Sequence, residues 1–383
     1  MRHERQVDLL ERLTTVNDQQ VALFGERSIV QPSSAYTDVA RFETERDVLF
    51  RRGPVLIALS IECTQPGSYV TGTFGGVPIV VVRQADASLR AFVNACRHRG
   101  APLFAGSGDG LARISCGWHA WSYRMDGTLH SRPHSDGAFD DVSINCDLLQ
   151  VAVAEGHGLI FVRPNSLEPI DIDAYIGAAA DDFDSFGVEY CVHIESRSNT
   201  WNANWKLLLD TFTESYHIRT LHKQTLAPYF FSGCTIFEPF GANQVNIGLR
   251  KAVFDEQSKP VGERELVSHG TFQYFLLPNA MLCYQTDHFE LWRFEPIDVR
   301  TTKVTTSVFA NSAPVSEKAD RYLRKNLQLL LDVTGGEDFP LIERVQSTLD
   351  SGALPAVVYG RIEPSLVHFH AQIDKALASG GLE

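Results

Sequence analysis

Two pairs of potential metal ligands constrain the fold of this chain more than any other feature of its sequence. Cys96 and His98 form one pair, Cys116 and His119 form the other, and the spacing is Cys-x-His-x17-Cys-x2-His. Sulfur and imidazole ligands in a two-plus-two set suit either zinc or a [2Fe–2S] cluster. The sequence therefore predicts two loops in β-rich, glycine-rich surroundings, each of which presents one thiolate and one imidazole.

Each arm of this motif mixes the two ligand types. Zinc fingers normally pair Cys with Cys and His with His, whereas a Rieske cluster has two Cys on one iron and two His on the other. The motif resembles the Rieske family in all four ligands, although Gly117 stands where Pro is more usual. A structural zinc site is the alternative. His130 and His134 follow the motif and are interpreted as surface residues.

The composition is typical of a soluble globular protein with about two domains. Of 383 residues, 44% are hydrophobic and 21% are charged, which excludes a disordered or fibrous chain. The net charge of −13 argues against a nucleic-acid partner. No apolar run approaches the ~20 residues of a membrane span, and the charged start is unlike a signal peptide. We therefore expect no membrane partner and a cytoplasmic location.

The chain divides into three segments by the pattern of its residues. Residues 1–44 predict an amphipathic helical segment with a break at Gln31–Ser34, and residues 45–165 are β-rich. The seam at Pro164–Ser166 precedes residues 166–383, which mix helices with strands. The clearest predicted elements are helices Trp205–Leu221, Glu317–Val333 and Leu366–Leu377, and strands Val77–Val82, Leu89–Val93, Gly158–Val162, Met281–Phe294 and Thr302–Phe309.

A second group of potential ligands lies among apolar residues of the third segment. Glu214 and His217 are three residues apart and are neighbours on a helix surface. His217 and His222 are five residues apart, about 140° round an ideal helix. They can bind one metal only if the helix breaks or contains a π-bulge. With a distant carboxylate they would form a facial triad for Fe(II); the alternative is two buried histidines satisfied by the backbone.

Together, the two ligand groups resemble the Rieske non-haem iron oxygenases from about residue 40 to residue 375. Glu214-x2-His217-x4-His222 is similar to the family's mononuclear iron motif, and the preceding Asn204–Lys206 is also typical. The resemblance implies an α+β chain, in which a β-rich Rieske domain precedes a helix-grip catalytic domain built on a curved antiparallel sheet. It also implies one [2Fe–2S] cluster and one Fe(II) per subunit.

The resemblance implies a third iron ligand from a helix near the C terminus. The candidates are Asp332, Glu337, Asp338 and Asp350. Gly336–Phe339 resembles the family's acidic box, and its register favours Asp338, with Glu337 as the alternative. Taken alone, the Glu-Asp pair would indicate only a helix N-terminus.

The function implied by the resemblance is that of the oxygenase component of a multicomponent system. The chain has no P-loop or dinucleotide-binding motif, so we expect electrons from NAD(P)H to arrive through a separate reductase or ferredoxin. The cluster would pass them to Fe(II), where O2 is activated beside a small-molecule substrate. Arg97 and Arg99 could steer an acidic electron donor, or be solvated structural arginines.

The same resemblance implies a role for Glu214 between two chains. It would accept hydrogen bonds from His217 and from His119 of the partner subunit, and so connect the iron site of one chain to the cluster of the next. This arrangement requires a closed ring of identical chains, and we expect a homotrimer.

The substrate is the least constrained part of the prediction. Our main expectation is hydroxylation of an aromatic or other hydrophobic compound. The alternative is a monooxygenase of a quaternary amine, similar to carnitine and choline monooxygenases, because Glu214 stands where aromatic dioxygenases more often have Asp. An electron-transfer Rieske protein alone would explain residues 54–165 but would leave the Glu/His/His motif without a role.

Overall fold

Two antiparallel sheets of seven strands organise the chain, for which a computed structural model describes residues 1–14 and 24–382. The elements before these sheets are α1 (His3–Thr14), β1 (Ile29–Pro32), α2 (Ser34–Thr37), α3 (Val39–Glu45) and a π-helical turn (Arg46–Arg52). Within the described ranges, every helix is too short or too polar to cross a membrane.

The N-terminal sheet carries the first pair of ligand loops. This lobe contains β2 (Val55–Leu59), β3 (Tyr69–Phe74), β4 (Val77–Arg83), β5 (Leu89–Val93), β6 (Ser107–Gly108), β7 (Ile114–Ser115), β8 (Ser122–Tyr123), β9 (Leu129–Ser131), a kinked turn α4 (Ser135–Ala138), β10 (Gln150–Gly156) and β11 (Leu159–Arg163). The sheet has the order β2-β11-β10-β5-β4-β3-β6, and β7-β8-β9 form a small second sheet. The ligand loops follow β5 and β7.

The C-terminal sheet and the helices around it form the rest of the chain. They are α5 (Ile172–Ile176), α6 (Ala179–Phe186), β12 (Val192–Trp201), α7 (Trp205–Asp210), β13 (Phe230–Phe240), β14 (Asn243–Arg250), β15 (Gly270–Leu276), β16 (Ala280–Tyr284), β17 (His288–Asp298), β18 (Thr301–Ala310), α8 (Glu317–Val333), a π-helical turn (Thr334–Asp338), α9 (Phe339–Asp350), β19 (Ala356–Tyr359) and α10 (Pro364–Ser379). The sheet order is β12-β18-β17-β16-β15-β14-β13, and β19 pairs with β1. Helix α10 packs on β13 and β14, and α8 packs on β12 and β18.

The two sheets share one hydrophobic interior through β2. Val55 and Ile57 face one core cluster and Leu56 faces the other, as the two-residue period of a strand requires. Asn279, which precedes β16, bonds to both the N–H and the C=O of Leu56 at 2.9 Å. The chain therefore has the α+β class predicted from its sequence, with its two sheets packed directly against each other.

The predicted helix over Trp205–Leu221 is wrong beyond Asp210, where α7 ends. The hydroxyls of Thr211 and Thr213 donate to backbone carbonyls of the last helical residues. Such local bonds, together with β-branching, compete with the helical hydrogen-bond ladder. The chain from 211 to 229 forms mostly turns, which provides the helix break that convergence of the two histidines requires.

Other sequence predictions have mixed outcomes. The helix Glu317–Val333 is confirmed. The single strand Met281–Phe294 is wrong, because a turn with Thr286 at φ 73° divides it into β16 and β17. The helical segment is interrupted near Gln31–Ser34 as predicted, and strand β1, which pairs with β19, includes the first two of these residues. Val16, part of the predicted first helix, lies outside the described residues.

Candidate metal centres

Two imidazoles and one carboxylate from distant parts of the chain converge beside the C-terminal sheet. In this His–His–Asp group, ligand atoms of His217, His222 and Asp338 all lie within 4.8 Å of one another. Asp338 Oδ1 is 3.0 Å from Nε2 of His222 and 3.6 Å from Nε2 of His217. That oxygen is buried and lacks a hydrogen bond of good geometry. A buried oxygen facing two ring nitrogens without a bond is suited to a cation, so the donor set fits Fe(II).

The group forms because the chain departs from regular helix at two places. After α7 the backbone makes a short helical turn, with bonds from Leu221 N–H to His217 C=O (2.8 Å) and from His222 N–H to Ile218 C=O (3.2 Å). This turn brings the two imidazole centroids to 5.0 Å. Asp338 ends the π-helical turn between α8 and α9, where an irregular helix aims a side chain that a regular one would not.

A second pair of carboxylates orients the two histidines. Glu214 is hydrogen-bonded to Nδ1 of His217, and Glu337 Oε2 lies 2.6 Å from Nδ1 of His222. Burial lowers the pKa of His222, but Asp338 and then Glu337 outweigh it, so its pKa is raised. The two carboxylates face the Nδ1 atoms, so both rings present Nε2 to the centre of the group, the orientation that histidine metal ligands adopt.

Of the four acids considered for the third position, only Asp338 joins both histidines. Glu337 contacts the outer nitrogen of His222 instead. Asp332 accepts a hydrogen bond from a glutamine on its own helix, and Asp350 pairs with an arginine. The register inferred from the sequence thus agrees with the convergence of side chains.

The Cys–His loops (residues 94–101 and 114–121) have matching backbone geometry. In each loop the cysteine N–H donates to the carbonyl five residues later at 2.8 Å, and its own carbonyl accepts from the N–H four residues later. Cys96 and Cys116 are 3% and 4% exposed. His98 and His119 lie nearer the surface, with ring centroids 4.7 Å apart. Gly117 has open space around it, so its difference from the usual Pro displaces no ligand.

The side chains of these loops fit a cluster with mixed ligands. His98 Nδ1 is buried and has no hydrogen-bond partner. Burial opposes ionisation of Cys116, but backbone N–H groups of Trp118 and His119 and the thiol of Cys96 lower its pKa. A lowered pKa favours the thiolate that binds metal. Two buried thiols and two outer imidazoles agree with the ligation of a Rieske cluster.

Two aromatic residues, Trp121 and Tyr123, support these loops, and sequence reasoning did not single out Tyr123. The Tyr123 hydroxyl lies 3.3 Å from Cys96 Sγ and accepts from the backbone N–H of Arg97 at 2.9 Å. Trp121 stacks on His98 at 5.0 Å with an interplanar angle of 7°. The only signal for Tyr123 was its place in the strand that follows the second loop.

The surface next to the Cys–His loops is aromatic and basic. Trp118 is 53% exposed, and the Arg99 guanidinium lies 4.3 Å from its ring centroid. Arg97 donates to a backbone carbonyl at 3.1 Å, so one of the two arginines also has a structural contact. His130 and His134 are exposed, as predicted.

A cavity of about 480 Å³ opens on the His–His–Asp group. One wall comes from the residues after α7 and from α8, and includes Phe212, Leu226 and Leu330. The opposite wall is the face of the C-terminal sheet. Its polar lining consists of Arg250, Thr271, Gln273, Cys283, Gln285, Asp287, His288 and Glu290.

Two titratable side chains on the sheet wall, Glu290 and His288, are buried. Glu290 is 5% exposed, and its nearest partners are Gln285 at 3.3 Å and His288 at 3.5 Å. His288 also contacts Asp287 at 2.6 Å. Burial lowers the pKa of His288, but Glu290 and then Asp287 raise it overall. Arg250 Nε is buried and has no hydrogen-bond partner.

Sequence reasoning missed all of these wall residues. Glu290 interrupts the apolar run Phe289–Trp292, and a charge within a predicted buried strand was the available signal. Nothing in the sequence indicated that Arg250 and Glu290 line one cavity. The two residues are on β14 and β17, and two other strands of the sheet lie between these strands.

Comparison with protein families gives two matches that follow one another along the chain. Residues 53–149 match the Rieske [2Fe-2S] domain. Residues 183–379 match the ring hydroxylating alpha subunit (catalytic domain).

Several characterised proteins are similar over most of the chain. Choline monooxygenase of Amaranthus tricolor is 26% identical over 92% of this chain and 78% of its own length. The carnitine monooxygenase oxygenase subunit of Escherichia coli K12 is 27% identical over 88% of this chain and 91% of its own length. The solved quaternary ammonium Rieske monooxygenase CntA with L-carnitine superposes with a TM-score of 0.77 at 21% identity, covering 91% of this chain and 95% of that one. Naphthalene 1,2-dioxygenase superposes with a TM-score of 0.75 at 21% identity, and the match covers 95% of each chain. At such identities the structures establish a common fold.

Proposed function

We propose, on the premise that this chain belongs to the family of ring-hydroxylating Rieske oxygenase alpha subunits, that it oxidises a small amine and above all a quaternary ammonium compound. The predicted family and α+β class are confirmed by the two domain matches. The chain is a Rieske non-haem iron mono- or dioxygenase whose cofactors are a [2Fe–2S] cluster and iron. The predicted aromatic substrate is not confirmed, and the alternative of a quaternary amine is better supported.

We assign the His–His–Asp group to Fe(II) and the four side chains of the Cys–His loops to the cluster. When bound, the iron supplies the site of O2 activation and the cluster supplies electrons. The protein's own part at the iron site is to fix the histidine tautomers. Glu214 and Glu337 hold the Nδ1 protons of His217 and His222, which leaves both Nε2 atoms free.

The observation that carries the substrate assignment is the buried carboxylate of Glu290 in the cavity wall. Its contact with His288 is long, and that ring is paired more closely with Asp287. The Glu290 charge is therefore available to a ligand. A hydrocarbon would displace water from this carboxylate without replacing its hydrogen bonds, at a cost of about 1–3 kcal/mol. An ammonium ion would compensate the charge.

The similarity to choline and carnitine monooxygenases supports the same class. These relatives align over 88% to 92% of the chain, so both the Rieske domain and the catalytic domain take part in the match. Both names specify a quaternary ammonium compound as the substrate of the relative.

For electron transfer we propose a homotrimer in which Glu214 connects His217 to His119 of the partner subunit. Three observations support this: Glu214 contacts His217, its side chain is 12% exposed, and His119 lies on the surface beside exposed Trp118. A solved quaternary ammonium Rieske monooxygenase is described with inter-subunit electron transfer. A separate NAD(P)H-dependent reductase or ferredoxin would supply the electrons, and the basic surface at Arg99 suits an acidic partner.

The test is turnover by the holoprotein, with both centres reconstituted and driven by peroxide or a reductase. We expect choline or γ-butyrobetaine to be oxidised and naphthalene and toluene to be unchanged, as read by product mass. Glu290→Gln should raise KM for ammonium substrates roughly tenfold or more, since a partly buried charge pair is lost. Glu295→Gln, on the other face of β17, is the control. Oxidation of the arenes alone would refute the proposal.

A further inference from the structure

We infer that the substrate also carries a carboxylate, and that Arg250 holds this carboxylate in the cavity beside the His–His–Asp group. The inference rests on the proposed function and narrows it. The proposed substrate class is thereby narrowed from small amines to betaines, which are molecules with a cationic amine at one end and a carboxylate at the other.

Arg250 is a charged side chain in the cavity wall without a counter-charge. It lines the cavity at the end of β14, and its guanidinium lies 5.6 Å from the Phe230 ring centroid. Its buried Nε has no hydrogen-bond partner, and no carboxylate of the described residues forms an ion pair with it. A buried donor without a partner costs stability, so a ligand that satisfies it gains that free energy on binding. The planar guanidinium matches a carboxylate with two parallel hydrogen bonds.

The acids of the cavity have other partners. Asp287 is paired with His288, and Glu214 and Asp338 belong to the proposed iron site. Glu290 is the carboxylate that the proposed function gives to the ammonium group. Arg250 is then the cationic side chain of the wall that has no acidic partner among the described residues. With Glu290 for an ammonium group and Arg250 for a carboxylate, the wall is complementary to a ligand that carries one positive and one negative charge.

The positions of the two charged residues set the shape of that ligand. Arg250 is on β14 and Glu290 on β17, with β15 and β16 between them, a backbone separation of about 14 Å at normal strand spacing. Cys283, on β16, is influenced by both side chains: burial raises the pKa of its thiol, Glu290 raises it further and Arg250 lowers it. Gly248 lines the same face two residues before Arg250, so no side chain there stands beside the guanidinium. The ligand's charges should therefore be several bonds apart.

The experiment compares one ligand with its neutral ester. Calorimetry on the iron-loaded holoprotein would measure the Kd of γ-butyrobetaine and of its methyl ester, which has the same ammonium group. For the natural chain we expect the ester to bind roughly 30-fold more weakly, as loss of a partly buried charge pair implies. In Arg250→Met the ratio of the two Kd values should fall to about 1–3, and Arg250→Lys should lie between.

Lys251→Met is the matched control. Lys251 is adjacent, carries the same charge and donates to the Ala227 carbonyl at 2.6 Å outside the cavity. It should keep the ratio of the natural chain, which separates a specific contact from a general change of charge. Arg250→Met should also unfold at the same temperature or higher, because an unsatisfied buried Nε is removed.

Two outcomes would overturn the inference, and they are distinguishable. If the betaine and its ester bind equally well while amine oxidation persists, the carboxylate contact is wrong and the proposed function stands. The same holds if Arg250→Met keeps the ratio. If no ammonium compound binds, the proposed function fails and the inference fails with it.

Discussion

Glu337 Oε2 lies 2.6 Å from Nδ1 of His222, on the side of the ring opposite the proposed iron site. The next residue, Asp338, lies 3.0 Å from Nε2 of the same ring. Two adjacent acids therefore hold one imidazole from both sides, because the π-helical turn Thr334–Asp338 directs them apart. This arrangement suits the two carboxylates to different roles, Glu337 as a positioning residue and Asp338 as the proposed iron ligand.

The first prediction separates those roles. Asp338→Asn should abolish iron binding at the His–His–Asp group, since it removes an anionic ligand. Glu337→Gln should weaken iron binding about 10- to 100-fold, as loss of an outer carboxylate does. Iron content after dialysis against a chelator measures both effects, and the visible absorption of the cluster should not change. Loss of iron in Glu337→Gln together with full retention in Asp338→Asn would reverse the assignment.

The second prediction concerns the cluster. Cys116→Ser should remove the visible absorption of the [2Fe–2S] centre while leaving iron at the His–His–Asp group, because among the described residues the two sites share no side chain. Cys146→Ser is the control, since Cys146 packs in the same core cluster but has only a backbone contact at 3.6 Å. Zinc without labile sulfide in the natural protein would contradict the assignment.

The third prediction tests the proposed path between subunits. Glu214→Gln should keep both metal centres and the trimer, yet slow single-turnover electron transfer by orders of magnitude. The reason is that glutamine lacks the negative charge with which Glu214 holds Nδ1 of His217 and orients its ring. Rapid-mixing absorption of the cluster measures the rate, and light scattering measures the assembly. A monomer with full activity would refute the proposal.

The fourth prediction concerns a buried ion pair between α3 and α7. Lys206 Nζ lies 2.5 Å from Glu45 Oε2, and both residues are fully buried. Lys206→Met leaves the carboxylate with Arg41 and the Trp205 indole as partners, and should lower the free energy of unfolding by about 3 kcal/mol. Urea denaturation provides the measurement.

The matched control is a surface pair on the C-terminal sheet. Lys303, 41% exposed, contacts Glu295 at 3.3 Å. Lys303→Met should cost less than about 1 kcal/mol. Equal losses in the two variants would show that burial does not make the first pair important.

The fifth prediction is a pH dependence of stability at the turn between β10 and β11. His157 bonds to Asp184 at 2.7 Å and to Asp173 at 2.8 Å. Burial lowers the pKa of His157, but these carboxylates raise it overall. Because the pKa of His157 is higher in the folded protein than in the unfolded chain, protonation of this ring stabilises the fold. The stabilisation is complete below the unfolded pKa of about 6.5, and it disappears as pH rises through the folded pKa.

The variant for this test is His157→Asn, because asparagine tolerates the positive φ of 53° found there. The loss in urea midpoint should be greatest near about pH 5.5 and should shrink above the folded pKa, with at most about 1 kcal/mol involved since both aspartates are exposed. A loss that does not depend on pH would contradict the assignment.

Sequence reasoning was most accurate where the information is local in the chain. The helix α8, which is confirmed, depends on residues a few positions apart, and the spacing within each Cys–His loop is equally local. It failed where the local structure depends on residues that are distant in the sequence but close in space. The helix predicted through Leu221 ends at Asp210, and the substrate cavity was not foreseen.

The sequence by itself determined the chemistry of the two centres, because ligand type and spacing are written in short stretches of chain. Only the tertiary structure decided that Glu337 contacts the outer nitrogen of His222 while Asp338 joins the proposed iron site, since 115 positions separate His222 from Glu337. The charge on the cavity wall was likewise decided by the sheet. Strand order brings Arg250 and Glu290 to one face of the cavity, where the buried Nε of Arg250 has no hydrogen-bond partner within the described part of the chain and Glu290 is 5% exposed.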